Sequence, residues 1–216
     1  WRYIKIMSLS TCNRELDEII FSKPNKVLIY GEAASGKTNL LLNVLRCSTN
    51  LSKLGYAIFF ISTEGSTFLE RMFKLRLLEE NLFISVAIDQ NHLASLILDI
   101  IRMFYRYKPL CIIIDSINSH FRVESSTPEG LAMFIKILTI LDTLNKCGIH
   151  VISSAQVRSF DEEQEIPGYE YIYRWADIAL NITRGHPFYR VLRFSKPNIE
   201  KLFYFDITLS GIRWIR

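Results

Sequence analysis

The run Lys26-Val27-Leu28-Ile29-Tyr30-Gly31-Glu32-Ala33-Ala34-Ser35-Gly36-Lys37-Thr38-Asn39-Leu40-Leu41-Leu42 decides how the rest of the chain is read. It opens as an apolar strand, passes through two glycines separated by four residues, and leaves Lys37-Thr38 at the head of a helix-like run. Chance gives the bare glycine–lysine pattern in on the order of 1% of chains this long, and the strand–loop–helix context narrows it further. Backbone N–H groups of such a loop cradle phosphate, and the helix N-terminus adds partial positive charge. Gly31, Glu32, Ala33, Ala34, Ser35, Gly36, Lys37, Thr38 and Asn39 are therefore candidate ligands of a nucleotide. Lys37 would reach the β- and γ-phosphates of ATP, and the Thr38 hydroxyl would hold Mg²⁺.

The 216 residues suit one domain with a large core, read as residues 8–216, with 1–7 taken as an upstream remnant that carries no function. The net charge of +4 permits nucleic-acid contact without requiring it. Cys12, Cys47, Cys111 and Cys147 are scattered, with no Cys-x-x-Cys pair. That argues against zinc and against a secreted disulfide scaffold, and predicts reduced thiols in a cytoplasmic protein. No apolar run reaches the roughly 18 residues of a membrane span, and no signal peptide is expected.

Strand-like runs at 26–30, 56–62, 84–88, 110–115 and 149–154 alternate with helical patterns such as Leu93, Leu96, Ile97, Ile100, Ile101 and Phe104. Thr127 is a candidate N-cap for a second helix, with Pro128 in its first turn. The alternation predicts an α/β fold with a mostly parallel sheet flanked by helices. Beyond about residue 176 the rhythm changes. Asp177–Thr183, Tyr189–Ser195, Leu202–Leu209 and Ile212–Ile215 read as antiparallel strands joined by short turns.

Three further segments bear on the phosphate loop. Leu110-Cys111-Ile112-Ile113-Ile114-Asp115 is a buried strand ending in an acid, where a carboxylate would take Mg²⁺. The alternative is an Asp capping a strand-to-helix turn. Glu64 follows the strand Ala57–Ser62 and is placed to polarise an attacking water, or is simply a solvated strand-end acid. Gln156 ends the apolar strand from Val151 and could contact a γ-phosphate, or be satisfied by backbone.

Together these segments resemble the RecA/RadA recombinase superfamily, and in particular archaeal RadA and its shorter paralogues such as RadB. Ile61-Ser62-Thr63-Glu64-Gly65 continuing to Glu70-Arg71 is similar to the family's Ile-Asp-Thr-Glu-Gly run, which also continues to Glu-Arg. Ile114-Asp115-Ser116-Ile117-Asn118-Ser119-His120-Phe121-Arg122 resembles Val-Asp-Ser-Val-Thr-Ser-His-Phe-Arg, and Gln156-Val157 the end of Thr-Asn-Gln-Val. The resemblance implies a RecA-like P-loop ATPase core that binds ATP and Mg²⁺. It gives Thr38 and Asp115 to the metal, Glu64 to water activation and Gln156 to γ-phosphate sensing.

The departures from the family pattern carry information too. Ser62 stands where the family has Asp, and Ala155 where it has Asn, so hydrolysis is expected to be slow. No N-terminal DNA-binding domain and no Phe-x-x-Ala polymerisation segment are found ahead of residue 8, so a long self-filament is not expected. The loop after Gln156, which touches single-stranded DNA in recombinases, reads Arg158 to Glu170 with five carboxylates against one arginine. Phosphate contact needs Lys or Arg. Single-stranded DNA binding is therefore expected to be weak and salt-sensitive, with Arg122 the one arginine of the first DNA loop. Lys196 lies where the family closes a neighbour's nucleotide site, and the aromatics of 169–175 read as core or partner surface. The implied partner is a RadA-type recombinase, with the chain as an accessory ATPase in homologous recombination. Two alternatives stay open: an autonomous DNA-stimulated recombinase, and a KaiC-like ATPase switch.

Overall fold

A computed structural model describes residues 9–48, 51, 54–77, 80–160, 163–165, 168–186 and 188–215. The segment 1–7, read as a remnant, lies outside the described residues.

Among the described residues, eleven strands and seven helices follow in the order α1 (Arg14–Ile20), β1 (Lys26–Gly31), α2 (Lys37–Cys47), β2 (Tyr56–Ser62), α3 (Phe68–Lys74), β3 (Leu82–Val86), α4 (Gln90–Arg102), β4 (Lys108–Asp115), α5 (Phe121–Glu124), α6 (Pro128–Lys146), β5 (His150–Gln156), β6 (Arg158–Phe160), β7 (Glu163–Glu165), α7 (Tyr169–Trp175), β8 (Ile178–His186), β9 (Tyr189–Lys196), β10 (Leu202–Thr208) and β11 (Gly211–Ile215). Nine of the strands form one sheet in the order β11-β10-β9-β8-β1-β5-β4-β2-β3. The run from β8 to β3 is parallel, and β8 to β11 pair antiparallel. This is the mostly parallel α/β sheet with C-terminal antiparallel strands that the alternation of patterns predicts.

The parallel strands are near-continuous in Val, Ile, Leu and Phe because both faces are covered. One face packs Leu40, Leu41, Val44, Phe60, Met72 and Phe205 around α1, α2 and α3. The other packs Phe59, Ile97, Ile112, Phe134 and Leu141 around α4 and α6. Thr127 caps α6 as expected, its hydroxyl accepting from the Gly130 N–H at 3.1 Å.

Several boundaries move. The third strand starts at Leu82 and stops at Val86, not at 84–88. Asp89 caps α4 by accepting from the His92 N–H, which turns the chain out of the sheet and leaves Ile88 74% exposed. Arg184 to His186 continue β8, where the sequence suggests a turn. The loop after Gln156 carries a short hairpin, with Arg158 opposite Glu165 in antiparallel register.

The expectation of reduced thiols is corrected for one pair. Cys12 and Cys47 are joined in a disulfide across 35 residues, tying the segment before α1 to the end of α2. Cys111 is a free, buried thiol, and burial pushes its pKa up. No helix among the described residues is long and apolar enough to cross a membrane.

Candidate functional site

The phosphate loop bridges β1 and α2 at the carboxyl ends of the parallel strands, where open α/β sheets bind ligands. Its two glycines are demanded by close approach. A Cβ on Gly31 would sit 2.3 Å from the Ile182 carbonyl oxygen of β8. Gly36 adopts φ 110° as the N-cap of α2, and a Cβ there would sit 2.9 Å from Ile207 Cδ1. The C-terminal strands therefore press directly against the loop.

Lys37 is buried and donates to the carbonyls of Gly31 at 2.9 Å and Glu32 at 2.7 Å. Burial holds its pKa below the usual lysine range, and the charges of Glu64, Asp115 and Glu32 offset part of that fall. The Thr38 hydroxyl donates to Asp115 Oδ2 at 2.7 Å, and Ser154 Oγ donates to Oδ1. Burial pushes the Asp115 carboxyl up. The hydrogen bonds from Ser154 and Thr38 pull it down, Glu64 raises it and Lys37 lowers it.

Glu64 is positioned by a locked turn. Thr63 Oγ1 donates to the Ser116 carbonyl at 2.6 Å and accepts the Ser116 N–H at 2.8 Å, which stitches the end of β2 to the end of β4. Ser62, where the family pattern has Asp, donates to the Gly65 carbonyl at 2.8 Å and accepts the Glu64 N–H at 3.3 Å. Its short hydroxyl closes the turn, and Gly65 takes the left-handed φ of 83° that the turn needs. Glu64 Oε1 then accepts from Ser116 Oγ at 2.7 Å and from Gln156 Nε2 at 2.8 Å. The far end of the Gln156 amide accepts from Arg122 Nη1 at 2.9 Å.

Thr38, Asp115, Glu64 and Gln156 thus meet in one cleft beside Lys37, and Asn39 lines it as well. Other residues singled out in the sequence make contacts within the chain. Arg122, the one arginine of the first DNA loop, donates into this cluster. Lys196 turns inward and caps α7, donating to the carbonyls of Tyr173, Arg174 and Ala176. Three of the α7 aromatics, Tyr169, Tyr173 and Trp175, pack against the core, with Tyr169 edge-on to Tyr30 and Trp175 Nε1 donating to the Leu138 carbonyl at 3.0 Å, while Tyr171 is exposed. The side chains of the acidic run 158–167 lie outside the described residues.

Two arginines of the site carry no role in the sequence reading. Arg71 lines the cleft, donates through Nη2 to the Thr208 carbonyl, and has a buried Nε with no hydrogen-bond partner. Arg184 donates to the Ala33 carbonyl of the phosphate loop at 3.1 Å. Each reaches across more than a hundred residues of sequence, so no local pattern marks it. The quoted Glu70-Arg71 pair is the nearest signal.

The residues present suit Mg·ATP. A buried hydroxyl–carboxylate pair is a hard oxygen donor set. Ser35 Oγ is buried in the loop with no hydrogen-bond partner, and Lys37 is a desolvated cation held only by backbone carbonyls and nearby carboxylate charge. A more apolar cavity between Leu51, Tyr56, Leu77 and Leu82 lies at the other end of the strands, away from this chemistry. A protein-family model described as Rad51 matches residues 2–165, well over half of the chain, and its match takes in the phosphate loop, Glu64, Asp115 and Gln156.

Proposed function

This chain belongs to the Rad51 family of RecA-like recombination ATPases, whose members bind ATP with Mg²⁺, and we infer that it is an accessory paralogue of a RadA-type recombinase. On this reading it is a RadB-like, archaeal-type cytoplasmic protein whose residues 8–216 form one ATPase domain, and it hydrolyses ATP slowly. The observation that carries the reading is a contrast. The cluster of Lys37, Thr38, Asp115 and Glu64 is intact, while the loop that follows Gln156 holds five carboxylates against one arginine.

Lys37 would supply positive charge at the phosphates, and Thr38 and Asp115 would hold the metal. When bound, Mg²⁺ neutralises charge that builds on the phosphoryl oxygens. Glu64 takes the proton of the attacking water at Oε2, because Oε1 is occupied by Ser116 and Gln156. Gln156 lies between Glu64 and the loop that follows it, so displacement of its amide by a γ-phosphate would pass to that loop. The Ser62 hydroxyl is committed to its turn and offers no second carboxylate beside Glu64, in keeping with slow turnover.

ATP turnover by wild type, Glu64→Gln and Lys37→Ala tests the assignment, with recombinase and single-stranded DNA added separately. Glu64→Gln should keep ATP binding and lose about 100-fold in kcat, and Lys37→Ala should lose binding. Stimulation by recombinase and not by DNA supports the accessory role. Robust strand exchange by the protein alone would overturn it.

A further inference from the structure

We propose that Arg122 is a positioning residue for hydrolysis: it fixes the orientation of the Gln156 amide and, through it, the carboxylate of Glu64. The proposal deepens the reading of Glu64 and Gln156 given above and rests on it.

An amide side chain has nearly the same shape either way round, so its partners decide which end is oxygen. Here the partners are unambiguous. A guanidinium can only donate, so the atom 2.9 Å from Arg122 Nη1 is Gln156 Oε1. The NH₂ end is then directed at Glu64 Oε1, 2.8 Å away. Flipping the amide would set oxygen against carboxylate and NH₂ against guanidinium. Two opposite charges at the ends of one neutral amide therefore select a single orientation.

The same short segment also grips the backbone of Gln156. Asn118, fully buried, donates through Nδ2 to the Gln156 carbonyl at 3.2 Å and accepts the Gln156 N–H at 3.3 Å. Arg122 stands one helical turn on, its own N–H donating to the Asn118 carbonyl at 3.0 Å. Phe121 anchors the turn by stacking on Phe134 with ring centroids 4.2 Å apart. The 118–122 segment thus holds both the main chain and the side chain of Gln156. Arg122 is half-buried and makes no ion pair among the described residues.

Two readouts test this. In steady-state hydrolysis, Arg122→Ala should lower kcat about ten-fold and leave the KM for ATP within about two-fold, the pattern of a misplaced reacting group. Arg122→Lys, whose ammonium is also donor-only, should restore most of kcat, whereas Arg122→Gln, which can present either end, should not. In the ligand-free protein, the side-chain ¹⁵NH₂ resonance of Gln156, assigned by its loss in Gln156→Glu, should move in Arg122→Ala and stay close to wild type in Arg122→Lys. An unmoved resonance in a folded Arg122→Ala protein overturns the proposal. So does unchanged kcat in Arg122→Ala where Glu64→Gln has lost turnover. If Glu64→Gln hydrolyses ATP like wild type, the functional reading fails by itself, and the ligand-free resonance still decides the role of Arg122.

Discussion

His150 stands at the start of β5 with 8% of its surface exposed, its ring edge-on to Phe21 at 5.5 Å and Nδ1 without a hydrogen-bond partner. Burial pushes its pKa down to about 4. The folded protein therefore keeps the ring neutral, while the unfolded chain binds a proton below about pH 6.5. The sign follows: this group favours unfolding as pH falls from about 6.5 to about 4, by at most about 3 kcal/mol. Urea midpoints at pH 7.5, 5.5 and 4.5 should fall in that order, and His150→Leu should flatten the series. Residues of this kind mark the limit of sequence reading. The meeting of Lys37, Thr38, Glu64 and Asp115 in one cleft is legible because their places are fixed by local spacing and by the ends of apolar strands. The environment of His150, like those of Arg71, Arg122 and Arg184, is made by residues distant in sequence. Arg122 is legible as an arginine after a strand, but its bond to Gln156 depends on how β4 and β5 sit side by side.

The element that carries the phosphate loop, α2, is held at its far end by the segment before α1. Asn43 of α2 donates to the Thr11 carbonyl at 2.7 Å, and Trp214 of β11 donates to the same oxygen at 2.8 Å. Ser10 N–H donates to Ser48 Oγ at 2.9 Å, and the Cys12–Cys47 disulfide joins the same two segments. Closing a 35-residue loop removes unfolded-state entropy worth about 3–4 kcal/mol. Thermal melts with and without dithiothreitol should differ by several degrees, and Cys12→Ser should melt like the reduced wild type and ignore the reductant. The hydrogen bonds to Thr11 leave the segment docked after reduction, so ATP affinity should change little. Four scattered cysteines give no spacing that reveals such a bond; the fold brings the two Cα atoms to 5.5 Å. Strand positions are more legible than this, because both-sided burial writes itself as continuous apolar runs. β3 is displaced by two residues from its expected place because its five positions are all half-buried, which weakens that signal.

Across the whole molecule, the nine-stranded sheet sets its C-terminal half against the phosphate loop, while the acidic hairpin of β6 and β7 springs from the strand that ends in Gln156. A net charge of +4 spread over the chain would draw a polyanion weakly to it, but the loop after Gln156 reverses that sign locally. Glu163 and Glu165 sit on the hairpin strand opposite Arg158 and Phe160. If these carboxylates are what keep a nucleic-acid backbone away, neutralising them should let it approach. Glu163→Gln combined with Glu165→Gln should bind a labelled single-stranded oligonucleotide more tightly than wild type at low salt. Every additional phosphate that the variant neutralises should steepen the slope of log K against log salt by about 0.7. Fluorescence anisotropy across a salt series reads both. Stimulation of the wild-type ATPase by recombinase should weaken in the same variant if the acids face a protein partner. Tighter DNA binding with undiminished recombinase stimulation would make the hairpin a barrier to DNA alone and move the partner surface elsewhere on the fold.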